Sequence, residues 1–444
     1  MKLFNQLINN KLNFFDILSV LLFGILPISI IVGNASININ ILLIDFLFIF
    51  YCFKFKLWSW LKKDVFLYLI TLYIFLNLNS LYSYFILSEN KTGSFFADEG
   101  TLRSFLFIKF LLLVFAFSTL LKDDKILRLV HKSWFFIITI IIFEIFFEKL
   151  IGKNIIGNIS PDGTRIVSFF KDELVVGGFI FCFGYASSIY FINNKEKSKF
   201  ILPVILIFFL VPLSVFISGE KSNFLRSILL FLAIVYFLKK NKQYFNYKIL
   251  MISMFFLISC LLIFNKSILE KYKEPFKRFS DKRIITNKTE GLRFSNSSKD
   301  IIENFGAIKY FAHYDIAIKI FKNYPITGVG NKKFRVECAK EKYFDTKTHF
   351  PHFGCITHPH QIHFEILSEQ GILGYLLILG LIVWFSIKNI KMCIKNKNIY
   401  HFSNTIYVII FFIPLLPGGG IFSTFNGILF WTIFSLVNLN YEKK

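Results

Sequence analysis

The chain has 444 residues, is 55% hydrophobic, carries 60 phenylalanines and has a formal net charge of +23. So much apolar surface exceeds what a soluble protein of this length needs for its core, and the charge taken alone would admit a nucleic-acid ligand. Placement excludes both readings: apolar runs of about 17–25 residues recur along the whole chain, each long enough to cross ~30 Å of hydrocarbon, and the lysines collect in alternate connections. The expected partners of the surface are membrane lipids, and no nucleic acid is expected.

The apolar runs predict an all-α, polytopic transmembrane bundle of about twelve spans. In chain order they cover about 15–33, 40–58, 65–87, 104–121, 133–150, 173–192, 200–217, 223–238, 249–265, 367–387, 403–418 and 421–438. The first run begins only after Lys11 and is long, so it reads as a permanent span rather than a cleavable signal. Pro417 and Gly418–Gly420 cannot continue a helix cheaply, so a tight turn is expected between the last two spans.

With the N-terminus in the cytoplasm, every inner connection is basic. Examples are Lys54, Lys56, Lys62 and Lys63, then Lys122, Lys125, Arg128 and Lys132, then Lys239, Lys240, Lys242 and Lys248, and finally Lys388, Lys391, Lys395 and Lys397. The outer connections at 34–39 and 418–420 hold none, and Lys91, Arg103, Lys153, Arg165, Lys171 and Lys221 are spread thinly over the others. The positive-inside rule then puts both termini in the cytoplasm. Within the spans, Lys109 and Glu144 both fall in the outer half, where they are expected to pair or to line a cavity, and Asp45 falls close enough to an end to be solvated.

Three segments follow from this pattern: spans one to nine in 1–265, one large periplasmic loop of short helices in 266–366, and spans ten to twelve with a cytoplasmic tail in 367–444. The loop opens polar and charged over 266–300. Over 301–324, Ile301, Ile302, Phe305, Ile308, Tyr314, Ala317, Ile318 and Phe321 recur at helical spacing until Pro325 and the Gly328–Gly330 pair end the run. Of the six cysteines, Cys52, Cys182, Cys260 and Cys393 lie in or beside spans as small buried hydrophobes. Cys338 and Cys355 share the outer loop, where an oxidising compartment favours a disulfide.

Five of the eight histidines, His349, His352, His358, His360 and His363, lie within fifteen residues. Pro359 suits the first turn of a helix that continues into span ten. On that helix His360, Phe364, Leu367, Gly371 and Gly374 share one face, and His358, Ile362, Glu365 and Glu369 another. Gly371 and Gly374 are expected to let a neighbouring helix come close. Three readings stand at this point: an interfacial loop of polar aromatics, a metal site using the histidines with Cys355 and Glu365, and a catalytic histidine at the membrane surface.

The segment His360, Gln361, Glu369, Gly371, Gly374 resembles the signature of the bacterial O-antigen ligase/polymerase family, in which a His followed by Asn or Gln precedes Glu-x-Gly-x-x-Gly at the mouth of a span. Other blocks agree in order. They are Arg165 with Phe169 and Phe170, Ser218-Gly-Glu-Lys221-Ser222, Pro325-Ile-Thr-Gly-Val-Gly330 and Pro417-Gly-Gly-Gly-Ile-Phe422. The resemblance covers about 160–440. It departs from the family at Lys221, where arginine is usual and a bidentate phosphate grip becomes a point-charge contact. It departs again at Tyr310, His313 and Tyr314, which occupy the stretch where the family often has an arginine and a tryptophan; Arg293 or His313 are candidates to replace that cation.

The resemblance implies a metal-independent glycosyltransferase of the inner membrane that needs no cofactor. Its donor would be a glycan on undecaprenyl pyrophosphate, and its acceptor lipid A–core in a ligase or a growing glycan in a polymerase. Lys221, Arg226, Arg165 and Arg293 would stabilise the pyrophosphate as charge develops on it. His360 would be the general base, with His358 as the alternative and Glu369 as its orienter or a structural partner. Gln361, His363 and His313 are left between acceptor binding and structure. Arg226 lies a turn inside span eight, where it either snorkels outward or is matched by Glu220 and a phosphate. A transporter of the lipid-linked glycan is a more distant reading, and it predicts inverted repeats that the chain does not display.

Overall fold

A computed structural model describes residues 12–87, 97–160, 165–171, 173–194, 201–241, 284–287, 291–294, 309–343 and 354–439; the side chains of 201–203, 284–294, 309 and 311 are not described. The first ten helices are α1 (Phe14–Gly24), α2 (Leu26–Val32), α3 (Asn34–Phe55), α4 (Asp64–Tyr82), α5 (Glu99–Phe105), α6 (Ile108–Leu120), α7 (Asp124–Ile151), α8 (Val176–Asn193), α9 (Ile201–Ile217) and α10 (Lys221–Lys240). After them come a short hairpin of β1 (Ile284–Asn287) and β2 (Gly291–Phe294), then α11 (Lys309–Asn323), α12 (Phe334–Glu337), α13 (Ile362–Asn396), α14 (Ile399–Phe411) and α15 (Thr424–Val437). The two strands pair antiparallel, with Ile285 opposite Arg293.

Apart from that hairpin the described chain is helical. Seven helical stretches are long and apolar enough to cross a membrane: Phe14–Val32, Asn34–Phe55, Asp64–Leu87, Glu99–Leu120, Val176–Asn193, Lys221–Lys240 and Ile362–Asn396. Three shorter apolar helices pack with them: Val204–Ile217, Ile399–Phe411 and Thr424–Val437. The expected ninth span at 249–265, Cys260, His349, His352 and the expected helical turn at 301–308 lie outside the described residues. The helices share one large apolar core in which Phe48, Phe115, Phe179, Phe183, Phe430 and Trp431 are fully enclosed. The opposite surface is apolar too, as a lipid-facing surface must be: Phe46, Phe136 and Phe143 are each at least 65% exposed.

Of the three intramembrane charges, Lys109 lines a cavity, as one of its expected roles had it, and the other two depart from the expectations above. Lys109 does not pair with Glu144; its Nζ donates to Asn38 Oδ1 at 2.6 Å. Glu144 is buried and accepts from the backbone N–H of Ile155 at 3.1 Å, just past the end of α7. Asp45 is buried rather than solvated, within electrostatic reach of Lys109.

A second, small core belongs to the loop before α13. Ile316, Ala317 and Ile320 of α11 pack with Val329, Phe334, Cys338 and Tyr343. Cys338 and Cys355 are joined by a disulfide with Cα atoms 5.3 Å apart. Closing a loop of this length contributes about 3 kcal/mol, which matters in a unit with so few apolar side chains.

Candidate active site

At one end of the bundle a single cavity of about 1750 Å³ gathers the starts of α3, α5, α8 and α10, the end of α14, the Pro417–Asn426 turn and part of the loop unit. Its lining includes segments from the connections that the lysine pattern assigns to the outer side. The opposite end carries the dense lysines: Lys63 faces Lys122 there, and Lys388 pairs with Asp64.

Backbone anchoring explains how Arg165, Lys221 and Arg226 meet. Glu148 near the end of α7 accepts from the N–H groups of Val167 (3.0 Å) and Ser168 (2.6 Å), and Ile166 N–H donates to Ser218 O at 3.2 Å. Arg165 is thereby held beside the turn into α10, close enough to act on Glu220. Glu220 precedes α10 and accepts from Gly177 N–H (2.6 Å), Gly178 N–H (3.2 Å) and Asn223 Nδ2 (2.6 Å). Burial raises its pKa above the ordinary carboxylate value, against the pull of Asn223, the two N–H groups and Arg165. Arg226 is buried and does not snorkel outward: Nη1 donates to Asn223 Oδ1 at 3.2 Å and Nη2 to Leu416 O at 3.4 Å. Asn223 therefore bridges Glu220 and Arg226 in place of a direct ion pair. Gly418 leaves the space the guanidinium fills, since a Cβ there would lie 2.8 Å from Nη2.

The histidine segment is not built as expected. Pro359 does not open the helix; α13 begins at Ile362. His360 sits in the left-handed region at φ 55°, and Gln361 is the cap, its Oε1 accepting from the N–H groups of His363 (2.8 Å) and Phe364 (3.1 Å). His360 thus lies outside the helix, and the shared face with Phe364 and Gly374 does not exist. Its ring centroid is 4.3 Å from that of His358, 5.8 Å from His313 and 5.7 Å from Tyr310. Its carbonyl accepts from Gly418 N–H at 2.7 Å, so one glycine touches both the His360 backbone and Arg226.

Gly371 also departs from its expected role. It breaks α13 at φ 62°, and the backbone of Ile326–Gly328, not a helix, occupies the space beside it. The interrupted ladder is completed by that segment: Ile372 N–H donates to Pro325 O (2.8 Å), and Glu369 O accepts from Gly330 N–H (2.8 Å). The Pro-x-x-Gly-x-Gly block and the Gly-x-x-Gly block of the sequence are two halves of one junction. Gly374 does face a neighbouring helix, through Phe75 of α4.

Two carboxylates, Glu365 and Glu369, precede the break in α13 and both act on Lys332. Glu369 is buried beneath the loop, its Oε1 3.4 Å from Phe334 N–H, and does not line the cavity. Glu365 is the carboxylate near the histidines. Its Oε1 accepts from Lys332 Nζ at 2.9 Å in a pair that is 5% and 1% exposed, and it acts on both His358 and His360. Burial works against the charge of Lys332, but Glu365 and Glu369 hold its pKa above the ordinary lysine value. Burial lowers the pKa of His358; Glu365 opposes the shift, and Lys332 and Arg335 reinforce it. No spacing in the sequence singles out Lys332, and Glu365 stood there only as a metal-ligand candidate.

The remaining candidates are placed as follows. His363 is turned from the cavity toward Tyr375 Oη (3.1 Å) and Phe412 O (2.8 Å). His313 is buried, with Nδ1 3.0 Å from Gly354 O. Arg293 lies on β2, and its side chain is outside the description. Among the described residues no three His, Cys, Asp or Glu side chains are grouped to hold a metal ion.

Residues 204–379 match the family model described as O-antigen ligase. That match supports the O-antigen ligase/polymerase family for this part of the chain. No curated protein matches the chain. The match supports a ligase/polymerase-type role and glycosyltransferase-like activity, with a lipid-linked glycan and an acceptor as partners in general terms. The matched region runs from α9 through the kink of α13, and so contains Lys221, Arg226, Lys332, His358, His360 and Glu365.

Proposed function

We propose that the chain is an O-antigen ligase of the bacterial inner membrane, with both termini cytoplasmic. It would transfer a glycan from undecaprenyl pyrophosphate to a hydroxyl of lipid A–core on the periplasmic side. The observation that carries this reading is the single cavity in which Arg165, Lys221 and Arg226 stand at one wall and His358 and His360 at the next, linked by Gly418.

The chemistry follows from that order. Arg165, Lys221 and Arg226 bind the pyrophosphate. The acceptor oxygen attacks the anomeric carbon as the bond from that carbon to the phosphate oxygen breaks, and the lipid pyrophosphate leaves with the electron pair. The acceptor's proton passes to the imidazole of His360. Glu365, held by Lys332, stabilises the imidazolium that results, a role expected of Glu369 from sequence. His358 takes the second place in the pair, because it is the backbone of His360 that Gly418 holds beside Arg226. The loop segment 266–366 supplies the wall that carries Tyr310, Lys332 and both histidines.

The test is reconstitution in vesicles with an undecaprenyl-pyrophosphate glycan and either lipid A–core or a second lipid-linked glycan. Product on lipid A–core supports the ligase; extension of the lipid-linked glycan alone replaces it with a polymerase. No transfer to either, from protein shown to be folded, removes the enzyme reading.

A further inference from the structure

The cavity carries more positive charge than one pyrophosphate accounts for. Eight cationic side chains line it, Arg103, Lys109, Arg165, Lys171, Lys221, Arg226, Lys332 and Arg335, against the carboxylates Glu99, Glu173 and Glu220. These cations are not spread evenly. Arg165, Lys221 and Arg226 cluster at the start of α10. Arg103 and Lys109, at the end of α5 and the start of α6, stand with Arg335 of α12 as a second group.

The second group is short of carboxylate. Glu99 Oε1 accepts from Arg103 Nε at 2.8 Å and Oε2 from Arg335 Nη1 at 3.3 Å, so one acid serves two guanidinium groups. Arg335 Nε is buried and has no hydrogen-bond partner among the described residues. Lys109 donates to a neutral amide oxygen, that of Asn38. Arg103 lies within electrostatic range of both Lys109 and Lys332. Three cations thus line one cavity, with Glu99 in direct contact with two of them and Asp45 within range of Lys109, an arrangement that leaves positive charge for an anion to offset.

The histidines lie between the two groups. On one side Gly418 touches both the His360 backbone and Arg226. On the other, His358 feels Lys332 and Arg335 directly. A molecule with its reacting hydroxyl at His360, facing a donor held at Arg226, extends its remaining sugar toward Arg335, Arg103 and Lys109.

We infer that Arg103, Lys109 and Arg335 form a second anion-binding subsite, which holds a carboxylate or phosphate carried by the sugar of the acceptor. The inference rests on the donor and base assignments of the proposed function. It goes beyond those assignments in placing the acceptor's charge: that charge is read at Arg103, Lys109 and Arg335, separately from the diphosphate of the donor.

The experiment uses the full chain in detergent and measures binding of four probes: maltotriose, maltotriose phosphate, inorganic phosphate and inorganic pyrophosphate. We expect maltotriose phosphate to bind about tenfold tighter than maltotriose, equivalent to about 1.4 kcal/mol. Arg335→Gln and Arg103→Gln should each remove most of that difference and leave pyrophosphate binding unchanged. Arg335 is about one-third exposed, so its variant should fold; Arg103→Lys keeps the charge and should restore part of the preference. Equal binding of the charged and neutral sugars would overturn the proposal. So would loss of pyrophosphate binding in Arg335→Gln and Arg103→Gln, which would give these cations to the donor, or inorganic phosphate competing as well as the sugar phosphate. Arg226→Gln separates the two ideas. It should weaken pyrophosphate alone, and pyrophosphate binding unaffected by it strikes the donor assignment without touching the second subsite.

Discussion

Histidines occur at both ends of the bundle in opposite surroundings. At the lysine-rich end His131 is enclosed by Trp134, Tyr190 and Tyr400, with Nε2 2.9 Å from Tyr400 Oη. Its neighbour on α14, His401, has Nε2 2.8 Å from Asn389 Oδ1. Both side chains are buried among neutral partners and do not line the cavity of the candidate site. At the cavity end His358 and His360 face open volume, a buried carboxylate and several cations. A histidine fixed by neutral hydrogen bonds and aromatic faces is a packing element; one placed beside a paired carboxylate at a cavity wall can exchange a proton with something that enters.

The contrast is broken or sharpened by a graded set of substitutions. The largest effect is expected from His360→Ala, which should lower transfer by about 10²–10⁴-fold with the protein still in the membrane, whereas His131→Ala should leave the turnover of folded protein near that of the parent. Vesicle assays normalised to folded protein measure both, and comparable loss in the two variants would erase the distinction. Next comes Glu365→Gln, which strands Lys332 in a buried site and should cost about 3–5 kcal/mol; unfolding in detergent measures it, and adding Lys332→Met should recover most of the loss. Cys338→Ser should cost about 3 kcal/mol, read as earlier proteolysis of the loop unit while the membrane helices stay protected.

The smallest effect concerns pH. Burial holds the His358 pKa below its ordinary value of 6.5, so the unfolded chain takes up this proton first as pH falls. The contribution of His358 is therefore complete above pH 6.5 and is lost progressively from there down to its folded value. His358→Gln should flatten the profile below about pH 6.5; unfolding curves there with identical slopes in both proteins would contradict the assignment.

Much of the architecture was legible because the bilayer imposes a simple rule on the chain. Runs of apolar residues must be helices, since hydrocarbon offers no partner to a free N–H or C=O. The apolar stretches at Asn34–Phe55, Asp64–Leu87 and Lys221–Lys240 could be read directly from hydropathy. The histidine segment was harder. Its residues were visible, but helical spacing was the wrong frame for them, because Gln361 caps the helix after His360 and Gly371 breaks it. Glu369 stood out in the pattern and lies under the loop, whereas Glu365 and Lys332 form the pair beside the histidines.

By itself, then, the sequence determined that this is a helical membrane protein, and which blocks resemble the O-antigen ligase/polymerase family. Those properties reside in local composition and order. Only the tertiary structure decided that Gly328, Gly330 and Gly371 build one junction, that Asn223 stands between Glu220 and Arg226, and that two groups of cations flank the histidines. Each is a meeting of residues from separate elements, and such meetings depend on how helices pack and where backbone donors find acceptors.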